Sequence, residues 1–311
     1  MIYDVIIIGA GPAGLTAALY VLRANLRALI IEDPLVASQA AYAFIIENFP
    51  AFPGGISGID LIKKLKEQVG YFGVEILPAD VSGIKNSGQN SKQLWQVTAN
   101  NRMYDTISVI VASGAVPKRL DIAGEREFIG RGVSYCAVCD GALFKDKNVV
   151  IAGGGDSAVE EALFLSRFAK KVSIVHRRDK LRAAKILQKR VFANDRIEIV
   201  WNSTIEQIMG GKTISGLRLR DVSTGALRDM DCQGLFVSIG KVPNTGFVKN
   251  ALDIDKNGYI ITGRGLNTSA HGVFACGDCR DTLFKQIVTA CGDGAAAARS
   301  CVHYVDTMKG Y

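Results

Sequence analysis

Two cysteines and an acid stand close together near the middle of the chain. Cys136 and Cys139 lie three positions apart in the segment VSYCAVCDGALF, and Asp140 follows at once. This spacing serves three chemistries: metal binding, a structural disulfide, or a thiol pair that carries electrons. The third needs a thiolate and accompanying proton transfer, for which Asp140 is the nearest candidate acid. Helix capping is the alternative role of Asp140. The elements around the pair must decide between these chemistries.

The N-terminal stretch predicts a nucleotide-binding unit. Residues 5–8 form a continuous apolar run, typical of a strand buried on both faces, and a helical pattern follows them. Between strand and helix, Gly9 allows a tight turn, Gly11 lets the backbone approach a pyrophosphate, and Gly14 lets the helix pack closely. The next strand ends at Glu32, which is placed to accept hydrogen bonds from a ribose.

A second copy of this unit begins near residue 148. Gly153, Gly155 and Ala158 take the three glycine positions. Gly153 follows Gly9 by the same number of residues as Ala158 follows Gly14. Applied to Glu32, that interval leads to His176, so the acid is absent from the second copy.

The replacement of the acid indicates which nucleotide each copy binds. Arg177 and Arg178 follow His176, and Arg182 lies one turn further on. A carboxylate repels a 2′-phosphate, whereas guanidinium groups bind one through charge-assisted hydrogen bonds. We therefore expect the second copy to bind NADP(H), and the alternative is a solvated basic surface. The predicted NADPH residues are Gly153, Gly155, Asp156, Ser157, Ala158, His176, Arg177, Arg178 and Arg182.

The C-terminal region indicates that the first nucleotide is FAD. A short apolar strand, 272–275, ends near Gly277 and Asp278, and an acid there is placed to hold the sugar-alcohol chain of a flavin. A helical segment follows. The N-terminal unit has too few strands for a full doubly wound sheet, so this segment is expected to complete it.

This arrangement makes the second nucleotide unit an insertion into the first. The connecting segments near 113–118 and 239–246 contain glycine and proline, as linkers do. The predicted fold is α/β, with two Rossmann-like three-layer domains. The FAD domain is assigned to 1–114 and 246–311, and the NADPH domain, which carries the cysteine pair, to 115–245.

Composition limits the classes of function. With 311 residues, the chain suits about two domains. The net charge is +7, but no long basic block interleaved with aromatic residues indicates nucleic acid binding. The N-terminal apolar run lacks a positively charged segment before it, and no run of 18 apolar residues is present, so we expect neither a signal peptide nor a membrane span. Seven cysteines do not form a secreted disulfide framework, which favours a cytoplasmic location.

Taken together, the motifs resemble those of a known family. GAGPAG, ENFP, YCAVCDG, GGGDSAVEEA, VHRRDKLRA and GVFACGD cover nearly the whole length. The chain resembles the bacterial-type, low-molecular-weight thioredoxin reductases, in the FAD/NAD(P)-linked pyridine nucleotide-disulfide oxidoreductase family. The resemblance implies FAD, NADPH, a redox-active disulfide, a homodimer and a large rotation of the NADPH domain. It also implies that the partner is thioredoxin or another small dithiol protein.

The resemblance also implies roles for single residues. Cys139 receives electrons from the flavin, Cys136 attacks the substrate disulfide, and Asp140 handles protons. The FAD residues, by motif and by matching position, are Gly9, Gly11, Pro12, Ala13, Gly14, Glu32, Gln39, Asn48, Val81, Ala112, Gly277, Asp278, Lys285, Gln286 and Ile287.

The chain departs from the family pattern around the flavin. Ala37 and Ser38 stand where two glycines are usual, and Lys285 stands where an arginine is common. Cys276 and Cys279 flank the Gly-Asp motif, where the family does not lead one to expect cysteine. These changes concern the flavin environment and the electron partner.

Four alternatives stay open at the level of sequence. CAVC and CGDC together could form a zinc site, although the two pairs are far apart in the chain. A reductase of the same fold linked to ferredoxin or flavodoxin would not need the cysteine pair. A thiol oxidase would not need the HRR motif. An NADP(H)-sensing module is the alternative that is not an enzyme. We expect no metal.

Overall fold

The computed structural model describes residues 2–35, 38–43, 45–88 and 94–311. Contacts divide the chain into two compact units. Unit 1 comprises Met1–Tyr42, Phe49–Val116 and Val242–Tyr311, and unit 2 comprises Ala43–Asn48 and Pro117–Lys241.

The described residues in the first part of unit 1 form two α-helices and seven strands, the last of which ends at Pro117, the first residue of the next segment of unit 2. They are β1 (Ile2–Ile8), α1 (Pro12–Arg23), β2 (Ala28–Glu32), α2 (Gly58–Gly70), β3 (Glu75–Pro78), β4 (Val81–Asn86), β5 (Trp95–Ala99), β6 (Arg102–Val111) and β7 (Ala115–Pro117).

Unit 2 follows in the chain. Its elements are β8 (Val133–Ser134), α3 (Ala137–Asp140), β9 (Asn148–Gly153), α4 (Asp156–Leu165), β10 (Lys171–Val175), α5 (Lys185–Phe192), β11 (Ile197–Val200), β12 (Ser203–Gly210), β13 (Ile214–Asp221), β14 (Leu227–Asp231) and β15 (Gly234–Ser238). The chain then returns to unit 1 through β16 (Lys241–Pro243), β17 (Val273–Ala275) and α6 (Ile287–Lys309).

A seven-stranded sheet forms the centre of unit 1. Its order is β3-β2-β1-β6-β5-β4, and β17 pairs with β6 as a parallel strand. The strands β3, β2, β1 and β6 are parallel, whereas β4 and β5 form an antiparallel meander with β6. The C-terminal strand thus joins the sheet begun by the N-terminus, as the sequence predicts.

Strand β1 is buried on both faces, which accounts for its continuous apolar sequence. Val5 and Ile7 pack with residues of α1 and α6, whereas Ile6 and Ile8 pack with Trp95 and others on the opposite face.

Unit 2 has a five-stranded parallel sheet, ordered β11-β10-β9-β15-β8. Residues of α4 and α5 pack on one face. The antiparallel sheet β12-β13-β14 packs on the other, where Leu217 and Leu219 contact the core that contains Val150 and Leu235. This is a three-layer arrangement, and the predicted α/β fold with two Rossmann-like domains is confirmed.

The two segments that connect the units pair with each other. Strands β7 and β16 form a separate two-stranded sheet. The Ser113 hydroxyl donates to the carbonyl of Asn244 at 2.6 Å, and the Asn244 side chain donates to the Ser113 carbonyl at 3.0 Å. In the part of the chain that the structure describes, none of the helices combines the length and apolar character needed to cross a bilayer.

Candidate active site

The two cysteines of CAVC are joined in a disulfide at the start of α3. Their Cα atoms are 5.3 Å apart, which suits a bond between residues three positions apart. Cys136 is the N-cap residue, and its Sγ accepts a hydrogen bond from the Cys139 backbone N–H at 3.2 Å. Such a donor stabilises negative charge on the Cys136 sulfur when the disulfide is open. The local structure therefore suits a pair that opens and closes.

Asp140 is held by a residue that sequence reasoning missed. Ser134, buried at the end of β8, donates a hydrogen bond from its hydroxyl to Asp140 Oδ2 at 2.6 Å. Burial raises the pKa of the Asp140 carboxyl, and the Ser134 hydrogen bond lowers it. A raised pKa is compatible with the proton exchange predicted for Asp140 from sequence.

The first glycine loop is shaped for a close backbone approach. Gly9 has φ of +112°, and a Cβ there would collide with the carbonyl of Ala112. A Cβ at Gly14 would collide with the Gly9 carbonyl oxygen. Gly11 is the N-cap residue of α1, with Pro12 as the first helical residue, and no described side chain caps the helix. The free N–H groups of this first turn fit the pyrophosphate of a dinucleotide.

The acid at the end of β2 already has a partner. Lys66 of α2 donates to both carboxylate oxygens of Glu32, at 2.8 and 2.6 Å. Ala13, also predicted for FAD, is buried in the core shared by α1 and α6. Lys66 carries no motif, so only the packing of α2 against α1 brings it to the site.

Several predicted flavin residues meet beyond the end of β17. The Gln39 side chain donates to the Ala115 carbonyl and lies 3.4 Å from Asp278 Oδ2. Lys285 Nζ donates to the Asp278 carbonyl at 3.1 Å and lies 4.0 Å from the ring centroid of Tyr259. The Lys285 side chain is therefore positioned by Asp278 and Tyr259.

The start of α6 completes this group. Gln286 is the N-cap residue and forms a reciprocal capping box with Thr289, directly before Ile287. Gly277 has φ of +74°, and its backbone N–H donates to Asp293 Oδ2 at 3.2 Å.

The other predicted flavin residues are more dispersed. Val81 is buried at the start of β4. Asn48 belongs to the segment Ala43–Asn48, which the contacts group with unit 2, although the sequence prediction placed it in the first domain. Of the two departures before Gln39, Ser38 lies next to Gly11, whereas Ala37 lies outside the described residues.

The second glycine loop repeats the close packing of the first. A Cβ at Gly153 would meet the Ala158 side chain and the Ser238 carbonyl. Gly155 is the N-cap residue of α4, and no described side chain caps that helix either. Asp156 accepts a hydrogen bond from the Ala184 N–H at 2.7 Å, and Ser157 is exposed.

The residue that replaces the acid, His176, has a different role from its arginine neighbours. Its ring nitrogens lie 2.9 Å from the carbonyl oxygens of Gly153 and Lys180. A carbonyl oxygen can only accept, so a ring nitrogen that carries a proton donates to the carbonyl that it faces. Gly154, absent from the predicted site, has no space for a Cβ because this imidazole lies against it. His176 therefore joins the glycine loop to the basic segment.

The residues that remain candidates for contact with the 2′-phosphate of NADP(H) are the arginines. Arg177, Arg178 and Arg182 are exposed, whereas His176 is buried. The backbone N–H of Arg182 donates to the Gly154 carbonyl at 2.8 Å, which fixes this segment beside the glycine loop.

The additional cysteines near the flavin residues are packed into the core. Cys276 and Cys279 are fully buried, and they belong to the hydrophobic clusters on opposite faces of the unit 1 sheet. Burial raises the pKa of both thiols. Among the described residues, no group of three or more histidine, cysteine or acidic side chains is arranged to hold a metal ion. The buried environment of Cys276 and Cys279 is that of unreactive thiols.

Comparison with known proteins gives a consistent result. The family model of pyridine nucleotide-disulphide oxidoreductases matches residues 3–294. The chain belongs to this family.

Its relatives narrow the assignment. The chain is 46% identical to the thioredoxin reductase of Bacillus subtilis, with 99% of this chain and 96% of that protein covered. It is 44% identical to the thioredoxin reductase of Treponema pallidum, with 99% and 98% covered. The crystal structure of the thioredoxin reductase from Streptococcus pyogenes, 45% identical, matches with a TM-score of 0.92 and covers 98% of this chain and 99% of that one. The resemblance drawn from the sequence motifs is confirmed.

Proposed function

We propose that this chain is an NADPH-dependent, FAD-containing disulfide reductase that acts on thioredoxin or another small dithiol protein. The observation that carries the proposal is the Cys136–Cys139 disulfide, set in the same unit as a glycine loop with adjoining arginines. Relatives of similar length that are named thioredoxin reductase support the protein substrate.

The two nucleotides are sorted by charge. In unit 1, the uncapped N-terminus of α1 and the carboxylate of Glu32 suit the pyrophosphate and ribose of FAD. In unit 2, Arg177, Arg178 and Arg182 suit the 2′-phosphate of NADPH. When bound, the flavin would accept a hydride from NADPH and pass two electrons to the disulfide.

The residues of the chain then have distinct tasks. Cys139 would receive the electrons, and the freed Cys136 thiolate would attack the substrate disulfide to form a mixed disulfide. Asp140 would give a proton to the departing substrate sulfur and become a carboxylate. The Cys139 thiol would then pass its proton to the Asp140 carboxylate, which restores the carboxyl, and the Cys139 thiolate would attack the mixed disulfide. This attack breaks the bond between Cys136 and the substrate, re-forms the Cys136–Cys139 bond and releases the second substrate sulfur as a thiolate, which takes a proton from water.

We also propose the domain organisation predicted from sequence, with the nucleotide domains assigned to 1–114 with 246–311 and to 115–245. The paired connectors β7 and β16 suit a hinge between them. We propose a homodimer on the basis of the family resemblance, and a cytoplasmic location on the basis of the cysteine content of the sequence.

The alternatives make different predictions. A reductase with another electron donor or acceptor, or a thiol oxidase, does not require both the cysteine pair and the arginines. A purely NADP(H)-sensing module requires no turnover.

Two measurements on the purified flavoprotein test the proposal. Anaerobic titration with NADPH is expected to bleach the flavin absorbance at lower concentrations than NADH does. Replacement of Cys136 and Cys139 by serine is expected to abolish thioredoxin reduction and to spare flavin reduction by NADPH. Disulfide reduction that persists in the double variant would contradict the roles given to the cysteines.

A further inference from the structure

Ser134 stands between the first redox cysteine and the acid that follows the second. The backbone N–H of Cys136 donates to Ser134 Oγ at 3.1 Å, and Ser134 Oγ lies 2.6 Å from Asp140 Oδ2. Ser134 is 5% exposed, so water does not readily replace these bonds.

The direction of these bonds follows from the groups involved. A backbone N–H can only donate, so the Ser134 oxygen accepts from Cys136. The single hydroxyl proton has two acceptors within reach, Asp140 Oδ2 at 2.6 Å and the Cys136 carbonyl at 3.4 Å. The shorter distance assigns it to Asp140. Asp140 Oδ2 is thus the oxygen that accepts from Ser134 in this structure.

The other carboxylate oxygen is left for the proton. Asp140 Oδ1 is buried and has no hydrogen-bond partner among the residues that the structure describes. Burial favours the protonated carboxyl, whereas the Ser134 bond favours the carboxylate, and the two effects act on the pKa in opposite directions. The hydroxyl therefore moderates the effect of burial and directs the acidic proton to Oδ1.

From this geometry we infer that Ser134 is a positioning residue, which holds Asp140 so that Oδ1 carries the exchangeable proton and which ties that carboxyl to the backbone of Cys136. This inference rests on the proposed function, because it assigns Asp140 a proton transfer in the thiol–disulfide step. In that step the O–H bond of Asp140 breaks, an S–H bond forms on the departing thiolate, and Ser134 stabilises the resulting carboxylate. No electrons change hands in the proton transfer.

The chain offers a matched control for this inference. Ser173, on β10 of the same unit, is also buried and donates to a carboxylate oxygen, Glu198 Oε1, at 2.6 Å. Ser173→Ala thus removes a bond of the same kind from a carboxylate that does not adjoin the cysteines in sequence. Ser134→Thr keeps the hydroxyl, and Asp140→Asn identifies the signal of the carboxyl.

The test is the titration of Asp140, followed by its side-chain carboxyl ¹³C resonance in the oxidised flavoprotein. Loss of a hydrogen bond to a charged group, on the order of 1.5–3 kcal/mol, is expected to move the midpoint upward by about one to two pH units in Ser134→Ala. Ser134→Thr and Ser173→Ala are expected to keep the wild-type midpoint. An unmoved midpoint in Ser134→Ala, or an equal shift in Ser173→Ala, would overturn the inference.

The pH profile of kcat/KM for protein disulfide reduction provides the second readout. Its Asp140-dependent limb is expected to move in Ser134→Ala by the same amount as the ¹³C midpoint, with flavin reduction by NADPH unchanged. A profile that keeps its shape and only falls in height would show a merely structural role. If the wild-type protein reduces no disulfide, the proposed function fails, whereas the ¹³C titration still decides whether Ser134 controls Asp140.

Discussion

Lys66 Nζ donates to both carboxylate oxygens of Glu32, at 2.8 and 2.6 Å. Each oxygen keeps a further lone pair, so the carboxylate can accept from ribose hydroxyls while Lys66 holds its orientation. Without Lys66 the carboxylate loses its fixed orientation, and its hydrogen bond to the ribose is weakened. We expect Lys66→Met to weaken FAD binding about threefold to tenfold, because a hydrogen bond of this kind contributes about 1 kcal/mol. Fluorescence titration of the apoprotein with FAD measures the change.

Lys63 supplies the control for this experiment. Lys63 lies on the same helix and is largely exposed, and its Nζ lies 4.0 Å from Glu67 Oε1. Lys63→Met should leave FAD affinity unchanged. Tighter FAD binding in Lys66→Met would show instead that the lysine competes with the ribose for Glu32.

The arginines that follow His176 are expected to set the choice between NADPH and NADH. Each charge-assisted hydrogen bond to a phosphate is worth about 1.5–3 kcal/mol, so Arg177→Ala or Arg178→Ala should weaken NADP⁺ binding by about 10- to 100-fold. NAD⁺ lacks the 2′-phosphate, so its affinity should change little. Calorimetric titration with both nucleotides measures the ratio, and an equal loss for the two would contradict a phosphate contact.

His176 is expected to act through the backbone. His176→Gln cannot bridge the carbonyls of Gly153 and Lys180 in the same way, so the glycine loop and the basic segment should lose their fixed spacing. We expect an increase in the dissociation constant of NADP⁺ of about tenfold, which corresponds to about 1.4 kcal/mol.

Calorimetric titration with NADP⁺ measures this change. An unchanged dissociation constant in His176→Gln would show that the two ring contacts, at 2.9 Å from the carbonyl oxygens of Gly153 and Lys180, do not hold the nucleotide site in place.

Glu161 predicts a pH dependence of stability. Burial raises the pKa of this carboxyl from 4.5 to about 7, although a hydrogen bond from Ser238 and the charge of Lys241 lower it. Between these two values the folded state binds more protons than the unfolded state, so this group makes the protein less stable as pH rises. The side chain of Glu161→Gln carries no charge. The free energy of unfolding of this variant, relative to that of wild type, should therefore rise by about 1–3 kcal/mol between about pH 5 and pH 8.

Denaturant unfolding at the two pH values measures this gain. The neighbouring Glu160 is exposed, so Glu160→Gln should show no comparable pH-dependent difference. A difference between Glu161→Gln and wild type that stays constant with pH would rule out a raised pKa at this position.

Much of the fold was predictable because its signals are local. The glycine spacing requires a strand, a turn and a helix within one short segment, and the repeat of that spacing at Gly153 and Ala158 identified the second unit. The membership of β17 in the first sheet was predictable because that sheet was incomplete without it, whereas its place beside β6 was not predicted.

The parts of the site that sequence reasoning missed depend on contacts that no short motif encodes. Lys66 reaches Glu32 only because α2 packs against α1, and Ser134 is one of many serines until β8 places it next to Asp140. His176 was grouped with the phosphate ligands because it occupies the position of the acid. In the structure its ring nitrogens face two backbone carbonyls, which a sequence pattern cannot show.

The burial of Cys232, Cys276, Cys279 and Cys301 has a practical consequence for chemical labelling. These four side chains have no exposed surface, and burial raises their pKa values, in Cys232 and Cys301 to about 12. A thiol-alkylating reagent should therefore leave them unmodified in the folded protein. The reagent uptake of the reduced protein, compared with that of the oxidised protein, would report the opening of the Cys136–Cys139 bond by mass alone.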